Sequence, residues 1–168
     1  MPNDEVHIKW AWGASVVGAL VMHTMGMDLL NIIYIIIIFM FGTEYVSPDL
    51  DINSRPFQRW SVLRVLWRPY TDYVPHRGTL SHNPIVGPIA LCIWFTLIVG
   101  VLVAFLTMVW LPVIEPLIDG AQTMISQIVS LKPTKDTVKM IVVFYSTIIA
   151  SQVYHIALDK MMKGDRLT

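Results

Sequence analysis

The chain has 168 residues, of which 55% are hydrophobic and 14% are charged, and its 12 basic side chains balance its 12 acidic ones. Charged residues make up about a quarter of a typical soluble domain, so this composition predicts an integral membrane protein, and the length predicts a single domain over residues 1–168. Because the net charge is zero, the composition gives no argument for binding to a nucleic-acid backbone, and we expect no nucleic-acid partner. The single cysteine, Cys92, excludes a disulfide framework or a cysteine-based zinc site.

Four apolar segments predict transmembrane helices, over residues 10–27, 29–46, 85–111 and 137–158. At about 1.5 Å per residue, about 18 helical residues just cross a hydrocarbon core about 30 Å thick. The predicted fold class is therefore all-α: a polytopic membrane helical bundle with four transmembrane helices. Residues 121–131, between the third and fourth spans, are amphipathic and predict a helix on the membrane surface.

The central loop, residues 47–84, contains a further helical pattern. Within Phe57–Tyr70, aromatic and leucine side chains recur at helical spacing, whereas Arg64 and Arg68 share another face. Tryptophan and tyrosine favour the level of the lipid headgroups, so this stretch predicts an interfacial helix that anchors the loop. The same pattern also fits a basic substrate-binding surface, and the two interpretations are compatible.

Charge asymmetry predicts the orientation of the bundle. Four spans place both termini and the central loop on the same side of the membrane. The loop alone carries five arginines, whereas the opposite side carries only Lys132, Lys135 and, at its edge, Lys139. The positive-inside rule therefore places both termini and the loop in the cytoplasm.

The central loop also carries two carboxylates and two imidazoles. In an extended chain the side chains of Asp49 and Asp51 point the same way, so they can share one cation. His76 and His82 follow in the same loop. Imidazole and carboxylate together suit zinc, with iron or manganese as alternatives. The alternative interpretation is an aspartate-rich turn after a helix, with both histidines as ordinary polar loop residues.

Residues outside the loop reach the same membrane face. His155 and Asp159 lie at positions i and i+4 on one side of the fourth span, at its cytoplasmic end. His7 lies just before the first span, at the same depth. The predicted metal ligands, from four separate parts of the chain, are His7, Asp49, Asp51, His76, His82, His155 and Asp159.

Two other ionisable residues lie in the apolar segments. Glu44, near the cytoplasmic end of the second span, is a candidate extra ligand or base. His23 lies well inside the first span, where an ionisable residue is a functional candidate. The alternative for His23 is a neutral histidine that is hydrogen-bonded within the bundle.

These residues fall into short motifs: Met1-Pro-x4-His7, Ser47-Pro-Asp49-Leu-Asp51-x2-Ser54, Pro75-His76-Arg77-x3-Ser81-His82-x-Pro84 and His155-x3-Asp159. Together they resemble an uncharacterised family of metal-binding membrane proteins, over nearly the whole chain. That family is similar to metal-dependent hydrolases of bacterial inner membranes. It is similar, more distantly, to zinc-dependent phospholipases C and related single-strand nucleases. The chain departs from the related sequences at Ile8, where they often have an aspartate, and in the longer gap between His76 and His82.

The resemblance implies a metal-dependent hydrolase of the bacterial inner membrane. A site at the membrane interface, flanked by Trp60 and Trp67, favours a phosphoester or lipid-like substrate that is reached from the cytoplasmic face. Membrane lipid is then its expected partner. In this scheme Asp51 or Asp159 acts as general base, and Arg77 binds a substrate phosphate through its planar fork of donors. The metal, expected to be zinc, activates water.

Two non-enzymatic interpretations remain open, so the sequence does not decide whether the chain is an enzyme. In the first, a metal staples both termini to the central loop and supplies folding energy. In the second, the chain is an accessory subunit of a larger membrane complex, with membrane-protein partners and no metal. A catalytic site keeps an open coordination position and a structural site is closed, a difference that the sequence does not reveal.

Overall fold

The computed structural model describes residues 4–114 and 134–164, which contain helices and turns and no strand. In chain order the α-helices are α1 (Asp4–Thr24), α2 (Leu29–Tyr45), α3 (Arg55–Arg59), α4 (Arg68–Tyr73), α5 (Thr79–His82), α6 (Val86–Ile114) and α7 (Lys135–Gly164). Two 3-10 helices, Pro48–Asp51 and Ser61–Trp67, lie in the central loop. The predicted surface helix over residues 121–131 lies outside the described residues.

Three of the described helical segments are long and apolar enough to cross a membrane: Leu29–Asp51, Val86–Trp110 and Lys135–Met162. They coincide with the second, third and fourth predicted spans. The first predicted span, residues 10–27, lies largely on α1, which has 21 residues. Helix α1 is not among the three, because polar residues such as Lys9, Ser15 and His23 lower its mean hydropathy. The all-helical class is thus confirmed, whereas a fourth crossing is not established by hydropathy.

A tight hairpin joins α1 to α2. Gly26 adopts a φ of +81°, a conformation that glycine adopts without steric cost. Asp28 then caps α2, since its side chain accepts a hydrogen bond of 3.0 Å from the backbone N–H of Asn31. The reversal makes α1 and α2 antiparallel neighbours, and Ser15 of α1 donates to the sulfur of Met40 on α2.

Small residues set the separation of α2 and α7. Gly42 of α2 is buried, and a Cβ at this position would overlap the Oγ atom of Ser151 on α7. Ser151 is fully buried, and its hydroxyl donates to the carbonyl of Ile148 at 2.8 Å. Helices that expose small residues to each other approach closely, which is a common packing mode in membrane bundles.

The central loop folds over the end of the bundle and contributes to its core. Trp67 and Leu50 are fully buried there, with Leu91 of α6 and Ile148 of α7 in the same apolar cluster. The Tyr70 hydroxyl donates to the carbonyl of Leu80 at 3.2 Å. Burial raises the pKa of the Tyr70 phenol, and the negative charge of Asp51 raises it further. The phenol therefore stays protonated and keeps its role as a donor.

The structure differs from the predicted continuous helix over Phe57–Tyr70. The stretch is divided into the end of α3, a 3-10 helix and the start of α4. Ser61 has a φ of 50°, which interrupts the helical path, and Pro69 lies at the start of α4, where its missing N–H costs no helical hydrogen bond. Trp67 is 0% exposed, whereas Val62 is 81% exposed. The aromatic pattern thus belongs partly to the core.

We expect Gly42→Ala to destabilise the bundle by about 1–3 kcal/mol, because the added methyl group forces α2 away from α7. The measurement is the thermal midpoint of the purified protein in detergent. Gly100→Ala is the matched control, because a Cβ there meets nothing within 4 Å. Adding Ser151→Ala to Gly42→Ala removes the overlapping hydroxyl and should restore part of the loss. Equal midpoints for Gly42→Ala and Gly100→Ala would contradict the close approach of these helices.

Candidate metal centre

Seven histidine and aspartate side chains meet at one end of the bundle, where α1 and α6 begin and α2 and α7 end. They form three overlapping groups, in each of which one ligand atom per residue lies within 4.8 Å of the others. The groups are His7 with His155 and Asp159; Asp51 with His76 and His82; and Asp49 with His82 and Asp159. The structure thus brings together all seven residues that the sequence predicts as ligands.

The first group joins α1 to α7. The Nε2 atom of His7 lies 3.2 Å from Oδ1 of Asp159. The ring of His7 also stacks on the ring of His155, with 4.2 Å between centroids. His155 and Asp159 share one face of α7 because residues four apart in a helix are neighbours. All three residues are buried, with Asp159 the most exposed of them, so this end of the α1–α7 interface is polar and largely shielded from solvent.

Asp49 lies between the other ligands. Its Oδ2 atom is 3.3 Å from Nε2 of His155, and its Oδ1 atom is 3.5 Å from Nε2 of His82. The local backbone is held by two serines: Ser47 accepts from the backbone N–H of Asp49, and Ser54 donates to its carbonyl at 2.7 Å. The carboxylate of Asp49 therefore faces histidines from two different parts of the chain.

The prediction of an extended Asp49-Leu50-Asp51 segment is wrong. These residues form a 3-10 helix, and Leu50 is fully buried between the two aspartates. Ser47 as N-cap and Pro48 at the first helical position both favour a helical turn here. The two carboxylates accordingly fall into different ligand groups: both lie near His82, but Asp49 also faces His155 and Asp51 also faces His76.

Asp51 organises the second group from a fully buried position. Its Oδ1 atom lies 2.9 Å from Nδ1 of His76, and its Oδ2 atom accepts from the backbone N–H of Arg77 at 3.3 Å. Arg77 adopts a φ of 60°, a left-handed conformation that costs about 1 kcal/mol or more for a non-glycine residue. The Arg77 side chain is exposed. The strained backbone of Arg77 thus directs its N–H towards the buried carboxylate of Asp51, while its guanidinium stays available at the surface.

His82 is placed by α5 and by Ser81. Its Nδ1 atom lies 3.1 Å from Oγ of Ser81, which is fully buried and donates to the carbonyl of Pro75 at 3.1 Å. The Nε2 atom of His82 points to the other side, 3.8 Å from Oδ2 of Asp159. His82 therefore connects the second group to α7.

The imidazole nitrogens are the reason why this cluster fits a metal. Several are buried and have no hydrogen-bond partner: His7 Nδ1, His76 Nε2, His82 Nε2 and both ring nitrogens of His155. The 3.3 Å approach of Asp49 to His155 lacks hydrogen-bond geometry. Leaving buried polar atoms unpaired is costly. A cation bound by imidazole and carboxylate groups would satisfy lone pairs of this cluster, and this donor set is typical of zinc, iron and manganese sites.

The structure places the other two ionisable candidates outside the three groups. Glu44 lies 3.9 Å from a guanidinium nitrogen of Arg59, so its carboxylate faces a basic partner. His23 lies on the exposed side of α1, beside an apolar groove that includes Ile32 and Ile36. It is therefore not a histidine hydrogen-bonded in the interior of the bundle.

Gln152 is a residue that the sequence reasoning missed. It is 0% exposed, and both polar atoms of its amide lack a hydrogen-bond partner. It lies one helical turn before His155 on α7, directly beneath the metal-ligand candidates. An amide inside an otherwise apolar span is the signal that could have identified it, because polar groups at that depth are costly and usually functional.

The fold and the cluster together define a metal-binding protein with membrane-length apolar helices. A family model described as "Uncharacterized metal-binding protein (DUF2227)" matches residues 2–166, and the chain belongs to this family. An "Uncharacterized protein" of Aquifex aeolicus (strain VF5) is 44% identical over 50 residues, which is 29% of this chain. The match covers 35% of that relative's length. No solved structure is significantly similar to the chain.

We expect purified protein to contain zinc, iron or manganese, and we expect His76→Ala to lower the metal content, because it removes a ring nitrogen that has no other partner. His23→Ala is the matched control, since His23 lies outside the three groups. Elemental analysis of protein purified without chelator measures the result. Equal metal content in both variants would remove His76 from the site.

Proposed function

We propose that this protein is an integral membrane, metal-dependent hydrolase that acts on a phosphoester or lipid-like substrate at the cytoplasmic face of the bacterial inner membrane. One observation carries the proposal. Buried, unpartnered imidazole nitrogens and three aspartates converge at the end of an apolar helical bundle, directly beside the exposed arginine Arg77.

Four crossings, with α1 as the fourth, agree with the exposure pattern. One side of α1 packs on the bundle through Ala11 and Ser15, which are buried. Its other side exposes apolar residues that lipid would cover: Trp10, Trp12, Val16, Val17, Leu20 and Val21. With α1 in the membrane, the cluster and both termini lie on one side, and the arginine-rich loop makes that side cytoplasmic by the positive-inside rule.

The residues of the cluster divide into positioning and reacting groups. A bound divalent transition metal would supply Lewis acidity and lower the pKa of a coordinated water. Asp51 has no exposure and orients His76 and the backbone of Arg77, so we do not assign the general base to it. Asp159 retains some exposure, and its Oδ2 atom lies 3.8 Å from Nε2 of His82. We therefore assign the general base to Asp159, with the proton received at Oδ2.

Arg77 is the residue expected to bind the substrate. Its guanidinium is exposed next to His76, and its planar fork of donors matches two oxygens of a phosphate group. The surrounding loop surface exposes both apolar and basic side chains, among them Val62, Val65, Arg64 and Arg68. A surface of this kind suits the headgroup region of a membrane and favours an amphiphilic substrate.

A second candidate function is a structural metal centre. It is favoured by the origin of the ligand residues, which come from α1, the first 3-10 helix, the segment around α5, and α7. A metal bound to them would fasten the start of the chain and the central loop to α7 without any reaction. In a related alternative, the chain is a metal-free accessory subunit that binds other membrane proteins. The metal measurement above separates that alternative from the other two.

Arg77→Gly isolates the role of the guanidinium. Glycine accepts a φ of 60° without strain, so the backbone N–H should still donate to Asp51. We expect catalytic efficiency on phosphoester or phospholipid substrates to fall about 10- to 100-fold, the loss of a charge-assisted hydrogen bond, with metal content unchanged. Arg77→Ala is the control that removes the guanidinium but keeps the Cβ atom and the strained left-handed backbone of the wild type. Wild-type rates in Arg77→Gly would exclude phosphate binding by this side chain.

Metal removal and anion binding distinguish a catalytic metal centre from a structural one. In either case we expect a chelator to lower the thermal midpoint, because His7 and Asp159 lose the cation that holds α1 to α7. In cobalt-substituted protein, a catalytic centre has an open coordination position, so added inorganic phosphate should change its visible absorption spectrum. A spectrum that phosphate leaves unchanged, together with no hydrolysis of any phosphoester or lipid tested, would favour the structural centre.

A further inference from the structure

Seven ligand candidates are more than one metal ion needs. A tetrahedral zinc site uses four ligands, so a single ion would leave buried imidazoles and carboxylates of this cluster without a partner. We infer that the cluster holds two metal ions bridged by the carboxylate of Asp49. This inference rests on the metal centre of the proposed function, but it does not require that the centre be catalytic.

Two of the three ligand groups have no residue in common. One consists of His7, His155 and Asp159, from α1 and α7. The other is built entirely by the central loop and α5, from Asp51, His76 and His82. Each group contains two imidazoles and one carboxylate, which is the number of protein ligands in many catalytic zinc sites. The two groups therefore form two separate binding positions of similar chemistry.

The third group shows how the two positions are connected. It contains Asp159 from the first group, His82 from the second, and Asp49. The two oxygens of Asp49 face opposite ways: Oδ2 lies 3.3 Å from His155 and Oδ1 lies 3.5 Å from His82. A carboxylate placed between two sets of ligands can bind one cation with each oxygen. Asp49 is thus the shared ligand of a pair of ions, an arrangement found in two-metal hydrolytic sites.

The charge of the cluster also favours more than one divalent cation. Asp49, Asp51 and Asp159 are buried or partly buried, and within the described residues their ion-pair contacts are all with histidines. Neutral imidazoles would leave three negative charges in a small volume. One divalent ion would leave a net negative charge there, whereas two ions neutralise all three carboxylates and leave one positive charge that attracts an anionic substrate.

A third ion is disfavoured by the environment of His82. It would require His82 to bind one ion through each ring nitrogen. Nδ1 of His82, however, already lies 3.1 Å from Oγ of Ser81. The hydroxyl of Ser81 is fixed by its own bond to the carbonyl of Pro75. His82 is therefore expected to use Nε2 for one ion and Nδ1 for the serine.

The stoichiometry of bound zinc tests the inference on the full chain in detergent. We expect two equivalents in the wild type, one in His7→Gln, one in His76→Gln and none in the double variant, because each single change empties one position. His23→Gln is the matched control and should retain two. If His7→Gln fails to fold, as judged by helicity and gel filtration, His155→Gln empties the same position. A single equivalent in the wild type that both variants lose overturns the inference, and so does a count of three.

The bridge has a spectroscopic test. In protein loaded with two equivalents of manganese(II), electron paramagnetic resonance should show a pair of coupled ions. Asp49→Asn should replace this signal with that of isolated ions, since an amide does not bridge two cations as a carboxylate does. Uncoupled ions in the doubly loaded wild type would overturn the bridge. Neither test depends on activity: absence of hydrolysis leaves the count of ions untouched, and an active protein with one ion contradicts only this inference.

Discussion

The contact between His7 and Asp159 is the constraint on which this fold depends. It joins the first turn of α1 to the last turns of α7, and the central loop packs against the same place through Asp49, His76 and His82. Bringing distant segments together costs chain entropy, and buried imidazoles without partners add a further cost. A bound cation offsets both costs at one point. The polar end of the bundle therefore helps to specify how the helices are arranged, together with the packing along their apolar length.

Much of this architecture follows from the sequence. Long apolar runs leave few alternatives to helices, so α2, α6 and α7 could be predicted closely. Because successive long helices run in opposite directions, the central loop, the start of α1 and the end of α7 lie on one side of the bundle. This explains why residues from four segments meet there. Membership of a metal-binding family agrees with the metal that the sequence predicts. Four points stay predictions: metal binding by each individual residue, hydrolysis, the orientation in the membrane and the lipid partner. The closeness of the side chains in the structure does not by itself establish any of them.

The central loop shows where sequence reasoning fails and why. Aromatic residues at helical spacing look the same whether they face lipid headgroups or a protein core, and only the packing of Trp67 decides between them. Ser61 and Arg77 both have positive φ angles, but neither is a glycine, so the sequence carries no signal for these backbone conformations. The 3-10 helix around Asp49 depends on a serine cap and a proline, signals that also occur in ordinary turns. Tertiary contacts fix each of these features.

The order of the ligands along the chain also determines when the centre can form. A protein is synthesised from its N-terminal end, so His7 is made long before His155 and Asp159, which lie on α7. The stacking partner and the acidic partner of His7 therefore do not exist until α7 has been synthesised. Metal capture by the complete cluster would accordingly follow the synthesis of α7, and a filled centre would mark a chain in which α7 has folded beside α1.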